Sequence, residues 1–127
     1  MAWFSVNRRF WLRGGSENSK DGDSVLLNKH GRMCCLGQII SPCVANKDHM
    51  LDIGTPAAFA NKYPLAEFYQ QFLAVRRETS EHVVFVNSDI AHAAMNVNDS
   101  VIINDSVREA LLMTLFEDNG HHLTFHS

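Results

Sequence analysis

Three cysteines and seven histidines are the residues of this chain best suited to chemistry. Cys34 and Cys35 stand side by side in the stretch HGRMCCLG, Cys43 follows soon after, and His30 and His49 flank the group. Thiolates and imidazoles this close together can hold zinc, exchange disulfides or attack an electrophile, and each chemistry makes a geometric demand. Structural zinc takes four converging ligands, usually from Cys-x(2–4)-Cys or His-x(3–5)-His pairs. Adjacent cysteines point to opposite faces of a strand and sit ~100° apart around a helix, so neither element brings both to one ion. A loop could gather Cys35, Cys43, His30 and His49, but no spacing requires it. A redox pair favours Cys-x-x-Cys, and a vicinal disulfide strains the peptide it spans. A nucleophilic cysteine needs a base, for which His30 is the candidate, and further orienting groups that the sequence does not place. Packing remains: free cysteine behaves as a small hydrophobe. Met33, Cys35 and Ile39, or Cys34, Leu36 and Ile40, then face the core. The expectation is reduced cysteines, at least one of them buried, with no metal and no cofactor.

His121, His122 and His126 close the chain. On a terminal strand His122 and His126 share a face about 13 Å apart, too far for one ion, and read as solvent-facing. Arg8, Arg9 and Arg13 interleave with Trp3, Phe10 and Trp11. Arg8, Trp11 and Arg13 could thus stack on a base or hold a nucleotide phosphate; the competing reading is an edge strand kept soluble by its arginines. Asp21-Gly22-Asp23 lacks the closing acid of a calcium loop, since Asn28 stands there, and reads as a turn. RGGS lacks the Lys-Ser/Thr of a phosphate loop. Asn98, Asp99 and Arg108 can form a structural polar network in which Asp99 pairs with Arg108.

The elements that must position these residues follow from pattern. WFSVNRRFWLRGG reads as an N-terminal strand ending at Gly14-Gly15. VLLNKHGRMCCLG suggests a hairpin or meander turning at His30-Gly31, and Cys34–Ile40 fits strand or helix alike. Thr55 caps a short helix with Pro56 at its first position. Apolar residues at 65, 68, 69, 72 and 73 predict an amphipathic helix. HVVFVNSD reads as a strand, and IAHAAMNVNDS as a short helix running into an extended piece. In SVREALLMTLFEDNG, Ser106 and Glu109 make a Ser-x-x-Glu capping box, and Gly120 is the stop. That helix carries two apolar stripes. Val107, Leu111, Leu112 and Leu115 are expected on the sheet; Ala110, Met113 and Phe116 must be covered by the rest of the fold or by another chain, and the limited material of a small domain favours a partner, such as a second copy. HHLTFHS is a strand with Leu123 and Phe125 on one face.

Hydrophobic residues make up 46% and charged residues 20% of 127 residues, which suits one folded domain spanning 1–127. The net charge of −3 makes a nucleic-acid partner unlikely on electrostatic grounds. The charge is uneven: residues 78–127 hold Arg108 alone against eight acids. The opening MAWFSVNRRFWLRGG has no apolar signal-type core, and no run reaches membrane-spanning length. Three cysteines in a chain of this length are no disulfide framework, which points to a reducing compartment.

Trp11–Gly14, Gly31–Gly37, Val97–Asp99 and Arg108–Ala110, with the final LTF, together resemble a family of small uncharacterised proteins of tailed bacteriophages and prophages. Its members carry Trp-Leu-Arg-Gly, Gly-x-Met-Cys-Cys-Leu-Gly, Ile-Asn-Asp and an Arg-Glu-Ala helix. The resemblance spans most of the chain but little of 44–90. Gln38 stands where the pattern has an aromatic, and Val97 where it has isoleucine. The resemblance implies a setting, the cytoplasm of an infected or lysogenic bacterium, and no catalytic residues. The fold expected is α+β: a small, mostly antiparallel sheet with two principal helices packed on one face. The function expected is non-enzymatic binding of a host or defence protein. The alternative is a nucleotide- or small-molecule-binding module or enzyme built on the Arg/Trp strand and the Met-Cys-Cys-Leu-Gly turn.

Overall fold

The computed structural model describes residues 2–14 and 24–127. Gly15 and the polar loop through Asp21-Gly22-Asp23 lie outside the described residues. Strand β1 (Trp3–Asn7) opens the chain. The sequence pattern extends it to Gly14, but the backbone turns at Asn7. The Asn7 side chain accepts the Arg9 N–H at 3.0 Å and caps a 3₁₀ turn over Arg8–Phe10. Trp11 is thereby delivered to the interior, where it is fully buried.

The turn expected at His30-Gly31 is present, held by the Asn28 side chain, which accepts from the N–H groups of His30 and Arg32. Its flanks share two backbone bonds, Asn28 N–H to Arg32 O at 2.8 Å and Cys34 N–H to Val25 O at 3.1 Å, but form no named strand pair; Leu27 bridges to Leu51, and Met33 bridges to Trp11. The Cys-Cys segment resolves as helix α1 (Cys35–Ile40), with Cys34 as its cap. Thr55 caps α2 (Pro56–Ala60), with proline at the start as the sequence indicates. The next apolar pattern divides into two elements, helix α3 (Glu67–Phe72) and strand β2 (Ala74–Glu78). Ladder pairing with the β-branched strand β3 (Val83–Asn87) overrides the local helical spacing after Phe72.

Helix α4 (Asp89–Asp99) is capped by Ser88 and stays helical throughout, with no extended piece before Ser100. Helix α5 (Asp105–Asp118) begins earlier than the capping box suggests. Asn104 is its cap, its side chain accepting the Val107 N–H at 2.9 Å. Ser106 already lies inside the helix, and Glu109 is engaged by Arg8. Gly120, at φ 81°, ends the helix in the left-handed region that glycine enters without strain. Strand β4 (His122–His126) follows, with Leu123 buried and Thr124 and His126 exposed.

The architecture is α+β. β2 and β3 form an antiparallel pair, and β1 and β4 form a second pair in parallel, Trp3 opposite His122 through Asn7 opposite His126. Parallel strands need a crossover, and here everything between the terminal strands provides it. One apolar cluster runs from Val6 and Leu123 through α1 to α2, α3 and α5. Phe4 stacks on Phe72 at 5.6 Å, and Phe116 meets both rings edge-on. No helix among the described residues is long and apolar enough to cross a membrane.

The rotation of α5 corrects both of its expected stripes. Arg108, Leu112 and Phe116 point inward, four residues apart, and all three are buried. Val107 and Leu111 are therefore exposed rather than packed on a sheet. Phe116 is core and offers nothing to a partner, while Ala110 is exposed and Met113 half-buried.

Candidate functional site

The buried polar side chains among the described residues, Asn98 and Arg108, meet at one junction. Its centre is Asn98, near the end of α4 and 1% exposed. The Asn98 side-chain oxygen accepts from the Trp11 indole N–H at 2.7 Å and from the Cys35 N–H at 3.1 Å. Its amide nitrogen donates to the Leu12 carbonyl and to Asp99 Oδ1, both at 3.0 Å. Its own carbonyl accepts from the Gly14 N–H at 2.9 Å. One amide side chain thus joins the N-terminal segment, the start of α1 and α4, with its full hydrogen-bonding capacity in use.

Arg108, also 1% exposed, seals the other side. Nη1 donates to the carbonyls of Val97, Asn98 and Ser100 at 2.8, 3.1 and 2.8 Å. Nη2 donates to those of Gly14 and Ile103 at 2.8 and 3.0 Å. Three of these carbonyls belong to the end of α4 and the residue after it, where helical carbonyls lack an intrahelical donor. The guanidinium acts as the C-terminal cap of α4. Its carboxylate partner is Asp105, at 3.3 Å, rather than the expected Asp99, which holds Asn98 instead.

The basic-aromatic patch is drawn into the same junction. Trp11 is covered by Phe125 at 4.9 Å, and the Arg13 guanidinium lies 4.5 Å from its ring. Arg13 donates to Asp105 at 2.9 Å, and that hydrogen bond is the chief reason the Asp105 carboxyl lies below the usual carboxylate range. Arg8 grips Glu109 with two bonds of 2.8 and 2.7 Å, and its pKa rises chiefly through them. Trp11 has no open face for a base to stack on, and Arg8 and Arg13 already hold carboxylates. The nucleotide-contact reading of Arg8, Trp11 and Arg13 gives way to a structural one.

Cys34 and Cys35 are free thiols buried beside Asn98, and Cys43 is exposed. Burial pushes the Cys34 thiol up to about 11 and raises Cys35 well above its ordinary value. Cys34 Sγ accepts the Gly37 N–H at 3.4 Å, an N-cap role for sulfur. Cys43 Sγ lies 3.7 Å from the Tyr69 hydroxyl. Alkylation of the native protein at neutral pH should therefore modify Cys43 alone, with Cys34 and Cys35 reacting only in denaturant. Peptide mapping that finds Cys34 or Cys35 labelled in the native state would refute their placement.

No three His, Cys, Asp or Glu side chains among the described residues converge as a metal site. His121 packs on Phe72 at 4.3 Å, and its pKa is lowered chiefly by burial. His122 packs at a tilt against Trp3, ring centroids 4.2 Å apart, and His126 is exposed on the same side of β4. Clefts open elsewhere among the described residues. One, of about 350 Å³, lies between Val75, Arg77 and Val86 of the hairpin and the start of α4. Another, of about 280 Å³, is walled by Val44, Phe59, Tyr63 and Pro64 beside Cys43 and His49. His49 is stacked flat on Tyr63 at 4.0 Å, and Asn46 Nδ2 lies 3.4 Å from its Nε2.

The fold and this junction define a small α+β protein in which Trp11, Asn98, Arg108, Arg8, Arg13 and the Cys34-Cys35 pair are engaged within the fold. Compared with known protein-family models, curated proteins and solved structures, the chain matches none.

Proposed function

We propose that this chain is a phage or prophage accessory protein that acts in the bacterial cytoplasm by binding a host or defence protein, without catalysis. One observation carries the binding reading: the loop between α4 and α5 presents Val101 and Ile102 to solvent, 74% and 90% exposed, on a clamped backbone. Arg108 holds the carbonyls of Ser100 and Ile103 on either side of the pair. Two branched apolar side chains at a fixed loop tip suit insertion into a partner's pocket, because little conformational entropy is lost on docking. On the following helix Val107 and Leu111, one turn apart, are 43% and 46% exposed, with Ala110 exposed beside them. The phage setting is supported by the motif resemblance: the motifs Trp11–Gly14, Gly31–Gly37, Val97–Asp99 and Arg108–Ala110 each contribute a residue, Trp11, Cys35, Asn98 and Arg108, to the junction that clamps this loop.

The nucleotide-module reading has no comparable support, since its arginines and tryptophan are engaged within the fold. The test pairs wild type with Val101→Asp/Ile102→Asp in affinity capture from infected or lysogenic cells, followed by mass spectrometry. The double variant should melt like wild type and lose the captured protein by tenfold or more. Equal capture by both forms would discard the loop as the contact, and a captured nucleotide or metabolite would discard the non-enzymatic reading.

A further inference from the structure

Among the described residues, strand β2 has a strand partner on one side only. Its ladder with β3 pairs Val75 with Val86, Arg76 with Phe85 and Glu78 with Val83. Just beyond the ladder, Ser88 N–H donates to Leu73 O and Thr79 N–H to His82 O, each at 2.9 Å. Hydrogen-bonded pairs alternate along an antiparallel ladder, so Val75 and Arg77 direct their main-chain groups at β3. Arg76 and Glu78 direct theirs away.

The two outer edges of this hairpin are treated differently. On β3, Phe85 faces outward and both its groups are taken by Asn61, whose Oδ1 accepts at 2.7 Å and whose Nδ2 donates at 2.9 Å. That amide imitates a neighbouring strand and closes the edge. On β2, no hydrogen bond among the described residues reaches the main-chain groups of Arg76 or Glu78. An edge of this kind is a template for another strand.

We propose that a second copy of the chain supplies that strand, β2 pairing antiparallel with β2 about a two-fold axis at Arg77 to give a four-stranded sheet. Parity and charge both select this register. Centred on Arg77, the axis sets Arg76 opposite Glu78 of the second copy, and Glu78 opposite Arg76, and each is a pair whose main-chain groups point at one another. Within one chain Arg76 and Glu78 already share a face, 2.9 Å apart and half or more exposed. In the dimer each guanidinium gains a carboxylate across the seam, so the face becomes a row of alternating charge. Moving the register by two residues either way sets Arg76 against Arg76 or Glu78 against Glu78. On the opposite face Arg77 meets its own copy at the axis, a like-charge contact that holds the association weak and reversible. The seam uses no residue of the Val101–Ile102 loop.

Sedimentation velocity of the full chain over a wide concentration range tests the seam. Wild type should show a concentration-dependent dimer. Arg76→Glu and Glu78→Arg should each weaken it by about tenfold or more, and the double swap Arg76→Glu/Glu78→Arg should recover wild-type association to within about threefold. Arg77→Thr should tighten it, by removing the like pair and adding a β-branched residue. All three positions changed are exposed, and melting curves should stay near wild type. A monomer at every concentration, in wild type and Arg77→Thr alike, overturns the proposal. So does a dimer indifferent to the single swaps.

Discussion

Arg108→Met should destabilise the protein by on the order of 3–5 kcal/mol, the range expected when one partner of a buried charge network is removed. Methionine fills a similar volume but donates no hydrogen bond. The carbonyls of Val97, Ser100, Gly14 and Ile103 lose the guanidinium as donor, and that of Asn98 is left with the Gly14 N–H alone. Each buried acceptor left unpaired costs roughly 1–3 kcal/mol, and water entering the junction recovers part of that sum. A small domain has a total stability of only about 5–15 kcal/mol, so the loss is a large share of it. Arg108→Lys keeps the charge but has three donors on a point-like head in place of five on a planar fork. It should fall between wild type and methionine. Urea unfolding checks both variants, and a loss below about 1 kcal/mol for Arg108→Met would show that the guanidinium is not the clamp described.

Three members of this junction, Asn98, Asp99 and Arg108, are legible in the sequence; Trp11, Arg13 and Asp105 are not legible as members, and neither is the wiring. Asn98, Asp99 and Arg108 stand out as polar residues beside apolar helices. Pairing opposite charges leads to Asp99–Arg108, yet the arginine takes carbonyls and Asp105 instead. Helix-end carbonyls are invisible in a sequence until the end itself is known, and here the end of α4 was read as extended. The same blindness moved the start of α5. Ser106 satisfies a capping box with Glu109, but Asn104 is an equally good cap two residues earlier. The helix begins there, with the Arg108 N–H on the Asn104 carbonyl at 2.9 Å, which turns Arg108 inward. Rotating a helix to satisfy a buried arginine put Phe116 in the core and Val107 outside, opposite to what apolar spacing alone implies. Signals that depend only on neighbours fared better: Thr55-Pro56, Gly120, the β3 run and the alternation in β4 all fold as read.

Gly37→Ala tests the other half of the junction, and two effects of opposite sign decide it. Gly37 is the third residue of α1, in ordinary helical conformation, and alanine is favoured over glycine inside a helix by about 1 kcal/mol. Propensity alone predicts stabilisation. Space predicts the reverse. A Cβ at Gly37 would sit 2.0 Å from the Leu26 carbonyl oxygen and within 3 Å of the Leu26 carbonyl carbon and Cα, all of them backbone. No rotamer relieves that, so α1 and the Leu26 segment must separate by more than 1 Å. The movement pulls on the bonds from Leu26 N–H to Ile53 O at 2.7 Å and from Cys34 N–H to Val25 O at 3.1 Å. It also draws the Cys35 N–H away from Asn98. Overpacking against fixed backbone outweighs propensity, and a net loss of about 3 kcal/mol or more is expected, with reduced soluble yield. Gly54→Ala is the control, since nothing lies within 4 Å of its Cβ position, and its midpoint should move little. If Gly37→Ala proved as stable as wild type in the same denaturant series, the close approach of α1 to Leu26 would be wrong, and with it the reason the Cys-Cys-Leu motif ends in glycine.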